Sequence, residues 1–283
     1  MAAPVQVVPD ASTHVDFQIA DYVYGITAFL GGTANVIMQL SQAPVGYGVV
    51  ESTVDSGKVT KHPIKRMRTT LTYLAVALMG SEEERIRYRE AVNVSHRPVH
   101  SGPDSPVKYN AFDKKLQLWV AMCLYRGVVD TLEAMDGPLD DATADALYAH
   151  CERLGTTLQV PAYMWPPNRA AFDVAWERSL DEVSIDPTVR KYLTALMTLE
   201  FMPWPIHKLF GKPQTFIVTG FLPQRFRDEM HLTFSESDQR RFDRLLRVIG
   251  AVNRRLPGPL RRFPFNLYLT DLRLRIRFDR ALV

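Results

Sequence analysis

Apolar positions recur at helical spacing along almost the whole chain. Residues 14–40 carry Phe17, Tyr24, Ala28, Val36 and Leu40 in such a pattern, interrupted near Gly31 and Gly32. Residues 44–61 read as a loop or broken segment, with a turn signal at Asp55-Ser56-Gly57. A helix then starts near Pro63, a residue suited to a first helical turn, and Gly80 stops it. Ile64, Met67, Leu71, Leu74 and Leu78 form its apolar stripe. Ser81 and Glu84 have capping-box spacing, opening a helix that runs toward His96 and ends near Pro98. After a loop over residues 101–108, Asn110 is placed to cap a helix with Phe112, Leu116, Trp119, Val120, Cys123 and Leu124 on one face. Gly137 and Pro138 break that helix, Asp141 is expected to cap the next, and Gly155 to close it. Further helices are predicted over residues 167–180, 187–201 and 235–256, the last with Ser235 and Asp238 as its cap. Residues 266–280 alternate leucine or isoleucine with arginine, a period-two pattern without partner strands, and read as a terminal helix or an extended tail. The expected fold class is all-α, one domain over residues 1–283 with roughly ten helices. Residues 1–12 are expected to be a flexible tail. No repeat or linker divides the chain.

Composition narrows the class further. With 46% apolar and 23% charged residues, 15 glycines and 19 prolines, the chain is neither disordered nor collagen-like. Cys123 and Cys151 stand alone, without a CxxC or a cysteine–histidine cluster, so a structural zinc is not expected. The longest apolar runs, residues 74–80 and 119–124, fall far short of the ~20 residues of a membrane span. No basic segment precedes an apolar run at the N-terminus, so the expected location is cytoplasmic. The net charge of +3 is uneven: residues 225–280 hold 14 arginines and seven acids, or +7, which leaves −4 on the rest. Those arginines alternate with acids and apolar residues, so ion-paired helical faces are expected rather than a nucleic-acid partner.

Phosphate-binding loops, zinc-protease motifs and a nucleophile elbow are all absent. What remains is seven histidines and a few polar groups in apolar surroundings. His96 and His100 are four apart, but Pro98 between them breaks the helix that would put both on one face. Either also reads as a helix-end histidine bonded to a carbonyl; His62, His150 and His207 are in or near helices too, and any one of them could approach a pocket in three dimensions. Arg66 and Thr70 share a stripe with Tyr73 and Ala77, about a quarter-turn from the apolar stripe. They suit a pocket wall, or a surface arginine beside a back-bonded threonine. Glu51 lies in a mostly uncharged stretch from Gly48 to Thr53 and reads as an exposed carboxylate unless something covers it.

Taken in order these pieces form a larger pattern: Gly31-Gly32, Gln39-Leu40, Pro44, Gly48-Val49-Val50-Glu51-Ser52, Arg66 with Thr70, His96-Arg97-Pro98-Val99-His100, Tyr109 to Asp113, Leu118-Trp119-Val120 and Leu222 to Arg227. The set resembles the oxygenase family typified by the fungal MpaB enzymes, which includes the bacterial latex-clearing rubber oxygenases. The likeness runs from about Gly31 to Arg277. It implies a globin-like helical fold holding haem b, and a dioxygen-dependent reaction on a small apolar, terpenoid-like substrate. It implies His96, in an HxxV segment with Val99, as the axial iron ligand, with His100 the runner-up. It also implies Arg66 and Thr70 in the cofactor pocket and Glu51 as a catalytic acid–base. Many members have a histidine directly after Trp-Val, where this chain has Ala121. The competing expectation is a non-catalytic helical ligand-binding or interaction protein that binds no haem.

Overall fold

A computed structural model describes residues 17–54 and 59–283, and every regular element among them is helical. The N-terminal tail and the Asp55-Ser56-Gly57 turn lie outside the described residues. The chain is all-α. Gly31 separates α1 (Gly25–Leu30) from α2 (Gly32–Leu40), and Gly80 separates α4 (Pro63–Met79) from α5 (Glu82–His96). The Ser81 capping box forms: its hydroxyl accepts from the Glu84 amide and the Glu84 carboxylate accepts from the Ser81 amide. Gly137, at φ 91°, ends α6 (Lys114–Asp136) in a conformation that favours glycine.

Several expected boundaries move. Residues 43–50 are not a loop but α3 (Ala43–Val50), with Pro44 in its first turn, where a missing amide costs nothing. Asp113, not Asn110, caps α6, accepting from the amides of Lys115 and Leu116. Asp140, not Asp141, caps α7 (Asp141–Cys151), and Gly155 lies inside the short α8 (Arg153–Thr156). The helices α9 (Arg169–Leu180), α10 (Pro187–Met197) and α13 (Glu236–Arg254) fall where the periodicity puts them. Between them lie α11 (Trp204–Phe221) and α12 (Gln224–Glu229), which the proline-rich sequence hides. The chain closes with α14 (Gly258–Arg261) and α15 (Phe265–Arg277). Eleven of the described helices have eight residues or more, and short segments raise the total above the expected ten.

The buried residues form one contiguous cluster around α6, which packs on α2, α8 and α13. At its centre Trp119 stacks on Trp176, ring centroids 5.2 Å apart, and its indole donates to the Gln39 carbonyl at 3.0 Å. Tyr125, Tyr148, Trp165 and Phe172 continue this aromatic core through edge-on and stacked contacts. α15 packs along α4, burying Leu269 and Leu272, while Arg275 pairs with Asp271 at 2.6 Å and Arg273 with Glu84 at 2.7 Å. The alternating Leu-Arg pattern is therefore a helix, its apolar side set by α4 rather than by a sheet.

Candidate functional site

The N-terminal half of α4 behaves differently from the rest of the helix. Ala75, Val76 and Ala77 are fully buried, yet Ile64 is 76% exposed and Met67 is 39% exposed. The expected apolar stripe thus reaches the core only from Leu71 onward, because α5, α8 and α15 cover the later turns. The neighbouring stripe changes in the same way. Tyr73 donates to the Leu154 carbonyl and Ala77 is in the core, whereas Arg66 and Thr70 on the same face are open.

His96 ends α5 beside this open face. The Ser81 cap starts the helix, and Tyr88 anchors it to α4 by donating to the Thr69 carbonyl at 2.7 Å. The His96 ring stands edge-on to Phe112, centroids 6.4 Å apart. Its Nδ1 is buried with no hydrogen-bond partner. Burial first, and then the nearby Arg66 guanidinium, hold the imidazole below its ordinary pKa, so the neutral form is favoured. Arg66 acts in the same sense on the Tyr192 phenol of α10, which burial raises, so Arg66, His96 and Tyr192 share one electrostatic neighbourhood.

Glu51, the residue after α3, is half-buried and held by two hydroxyls on a single oxygen. Ser105 Oγ donates to Oε2 at 2.8 Å and Tyr109 OH donates to it at 2.9 Å. Burial and the Glu51 carboxylate push the Tyr109 phenol up to about 12, so it remains a donor at neutral pH. Tyr109 also reaches the His96 turn through the backbone. Ser101 N donates to Tyr109 O and Ala111 N to Val99 O, both at 2.9 Å, around an antiparallel bridge between His100 and Asn110. A short paired segment therefore ties the loop holding Glu51 to the end of α5.

The structure brings Arg66 and His96 together and links Glu51 to them through Tyr109. Thr70 shares the open face of α4 one turn beyond Arg66. His100 is exposed and serves in the bridge. His150 and His207, which the sequence left as rival ligands, sit instead 2.6 Å and 2.9 Å from the backbone carbonyls of Leu78 and Thr198. The sequence reading missed Ser105, Tyr109 and Tyr192 as site residues. Tyr109 stands in the family pattern but without a role, and no local pattern marks Ser105 or Tyr192, because Ser105 and Tyr109 act on a carboxylate 54 and 58 residues earlier.

Among the described residues no group of three or more His, Cys, Asp or Glu side chains converges on one point. A metal held by protein side chains alone has no cage there, whereas a metal arriving inside a macrocycle needs only an axial ligand. Two small cavities, of about 130 and 290 Å³, lie elsewhere, one lined by Arg126 and Arg169 and the other by Lys212 and Phe234. No helix among the described residues is long and apolar enough to cross a membrane.

Two mycobacterial proteins, the uncharacterized protein Rv2237 of Mycobacterium tuberculosis and the uncharacterized protein Mb2261 of Mycobacterium bovis, are each 55% identical to this chain over 250 residues. Each match covers 88% of this chain and 98% of the relative. No solved structure matches. The model of the family described as "ER-bound oxygenase mpaB/B'/Rubber oxygenase, catalytic domain" matches residues 22–251, a span that contains Glu51, Arg66, Thr70 and His96, and the chain belongs to that oxygenase family.

Proposed function

We propose that this protein is a haem b-dependent oxygenase that uses dioxygen on a small apolar, terpenoid-like substrate. The observation that carries this reading is His96: a neutral imidazole at a rigid helix end, with a buried ring nitrogen unsatisfied, beside a helix face that the protein leaves open. A buried polar atom without a partner is costly, and a ligand bound at Nδ1 itself would relieve that cost. Arg66 and Thr70 share one open stripe of α4, and the Arg66 guanidinium suits bidentate pairing with a propionate carboxylate.

Bound haem would supply the iron at which dioxygen is activated. The chain's own groups do the rest. His96 holds the cofactor from the α5 side, and Arg66 fixes its orientation. Thr70 offers a hydroxyl donor in the pocket. Glu51 has Oε2 occupied by Ser105 and Tyr109, which leaves Oε1 to take a proton from the substrate and return it.

The competing reading, a helical binder without haem, draws on Ala121. That residue is 1% exposed within α6 and packed toward Gly155, so this chain fills with core a position where many relatives carry histidine. One titration separates the two. Purified protein given haemin should develop a Soret band at one haem per chain, and His96→Ala should lose the haem or regain its coordination only with added imidazole. Protein that takes up no haemin supports the binder. A His96→Ala variant with full occupancy and an unchanged ferric spectrum removes His96 from the iron and makes His100 the next variant.

A further inference from the structure

Both ends of the short stretch that carries His96 trace back to one buried side chain. Gln117, early in α6 and 8% exposed, commits both of its amide hydrogens and its oxygen. Its Nε2 donates to the Ala111 carbonyl at 2.7 Å and to Gln159 Oε1 at 2.5 Å, and its Oε1 accepts from the Gln159 backbone amide at 3.0 Å. Gln159 extends the chain of contacts to α5, its Nε2 donating to Asn93 Oδ1, one turn before His96. On the other side, Ala111 donates its amide to the Val99 carbonyl at 2.9 Å, just beyond His96. Phe112, the residue after Ala111, is the one whose ring meets His96 edge-on. The circuit closes because α8 lies tight on α6. A Cβ built at Gly155 would stand 3.4 Å from that of Ala121 and 3.2 Å from that of Val160, the neighbour of Gln159.

We infer that Gln117 positions the His96 ring, acting through Gln159 and Asn93 on the N-terminal side and through Ala111 on the C-terminal side. A carboxamide whose donors and acceptor are all engaged has one orientation, and a buried network that is fully satisfied fixes the elements it joins. The bonds fall on either side of His96 and none is made to its Nδ1. They therefore set the direction of the imidazole without competing for that nitrogen. Gln117 and Gln159 are positioning residues and do not themselves meet a ligand. The inference rests on the haem reading for what the ring is aimed at, but the aiming itself is a property of the apoprotein.

NMR of isotope-labelled histidine in the full-length apoprotein tests it, with His96 assigned by its loss in His96→Ala. The wild type should show one narrow set of His96 ring signals. Gln117→Met fills similar space without the hydrogen bonds and should split or broaden that set. Gln159→Leu, at a half-buried position, should do the same, and it decides the matter if Gln117→Met does not fold. Gln159→Glu should restore the single set, because its carboxylate still accepts from Gln117 and accepts from Asn93 once that carboxamide turns over. Tyr148→Phe removes a buried hydrogen bond to the Pro166 carbonyl that none of these residues makes. It should lower the melting temperature and leave the His96 signals alone. On haemin titration, Gln117→Met and Gln159→Leu should bind about tenfold more weakly or worse, the usual loss when a group that orients a metal ligand is removed. The inference is overturned if His96 keeps one narrow set in the folded disrupting variants, if Gln159→Glu does not rescue, or if Tyr148→Phe disturbs the signals equally. Wild type that takes up no haemin overturns the haem reading instead, and the ring signals still decide the positioning.

Discussion

Glu51 illustrates how little a residue's identity says before its neighbours are known. In sequence it is a carboxylate among small and apolar residues. In the fold, two hydroxyls fix one of its oxygens and leave the other to act. Glu51→Gln keeps the shape but removes the base, so haem content and the Soret position should hold while turnover falls by ~10²-fold or more. A variant that turns over normally would make Glu51 a structural acceptor only. His96 gives a second prediction at this scale. Its folded-state pKa lies below that of a free imidazole, about 6.5, so the folded chain resists protonation that the unfolded chain accepts. Its contribution is therefore unpenalised above pH ~6.5, and stability is lost as pH falls from there toward the folded value. Removing the neighbouring charge with Arg66→Gln should raise the His96 midpoint, read by NMR titration of the apoprotein against His96→Ala for assignment. An unmoved midpoint would separate the two side chains.

At the level of elements, local chemistry and packing divided the work. The caps at Ser81 and Ser235, the stop at Gly80 and the break at Gly137 were legible, because each depends on residues within four positions of one another. α3 and α11 were not. Their prolines and glycines argue for loops, and only burial of one face against α2 and α10 makes helix the better state. Nor does sequence say where helices touch. Gly250 of α13 meets α6 so closely that a Cβ there would strike the Met135 backbone. Backbone has little room to give, so Gly250→Ala should cost roughly 1–3 kcal/mol net, even though alanine favours helix by up to about 1 kcal/mol. Gly102→Ala, where the added methyl meets nothing within 4 Å, serves as the neutral control in the same thermal melts.

Across the whole molecule, one aromatic and aliphatic cluster runs from α1 to α15, and the arginine-rich C-terminal region is woven into it. Arg225, Arg240, Arg254, Arg261, Arg273 and Arg275 each meet a carboxylate, and α15 lies along the helix that carries Arg66 and Thr70. We expect the chain to unfold as one unit: calorimetry should give a single transition with equal calorimetric and van't Hoff enthalpies, and two resolved transitions would divide it. Sequence by itself determined the helical class, most helix starts and stops, and the family pattern that singled out Glu51, Arg66, Thr70 and His96. These are properties of residue type and near-neighbour spacing, which the local backbone expresses directly. Tertiary structure alone decided that Ile64 and Met67 stay open while Leu71 and Leu78 are covered. It also decided that His96 keeps an unsatisfied nitrogen beside Arg66, and that Ser105 and Tyr109 close on Glu51. Burial and hydrogen bonding across more than fifty residues depend on which helices pack together, and no local pattern encodes that.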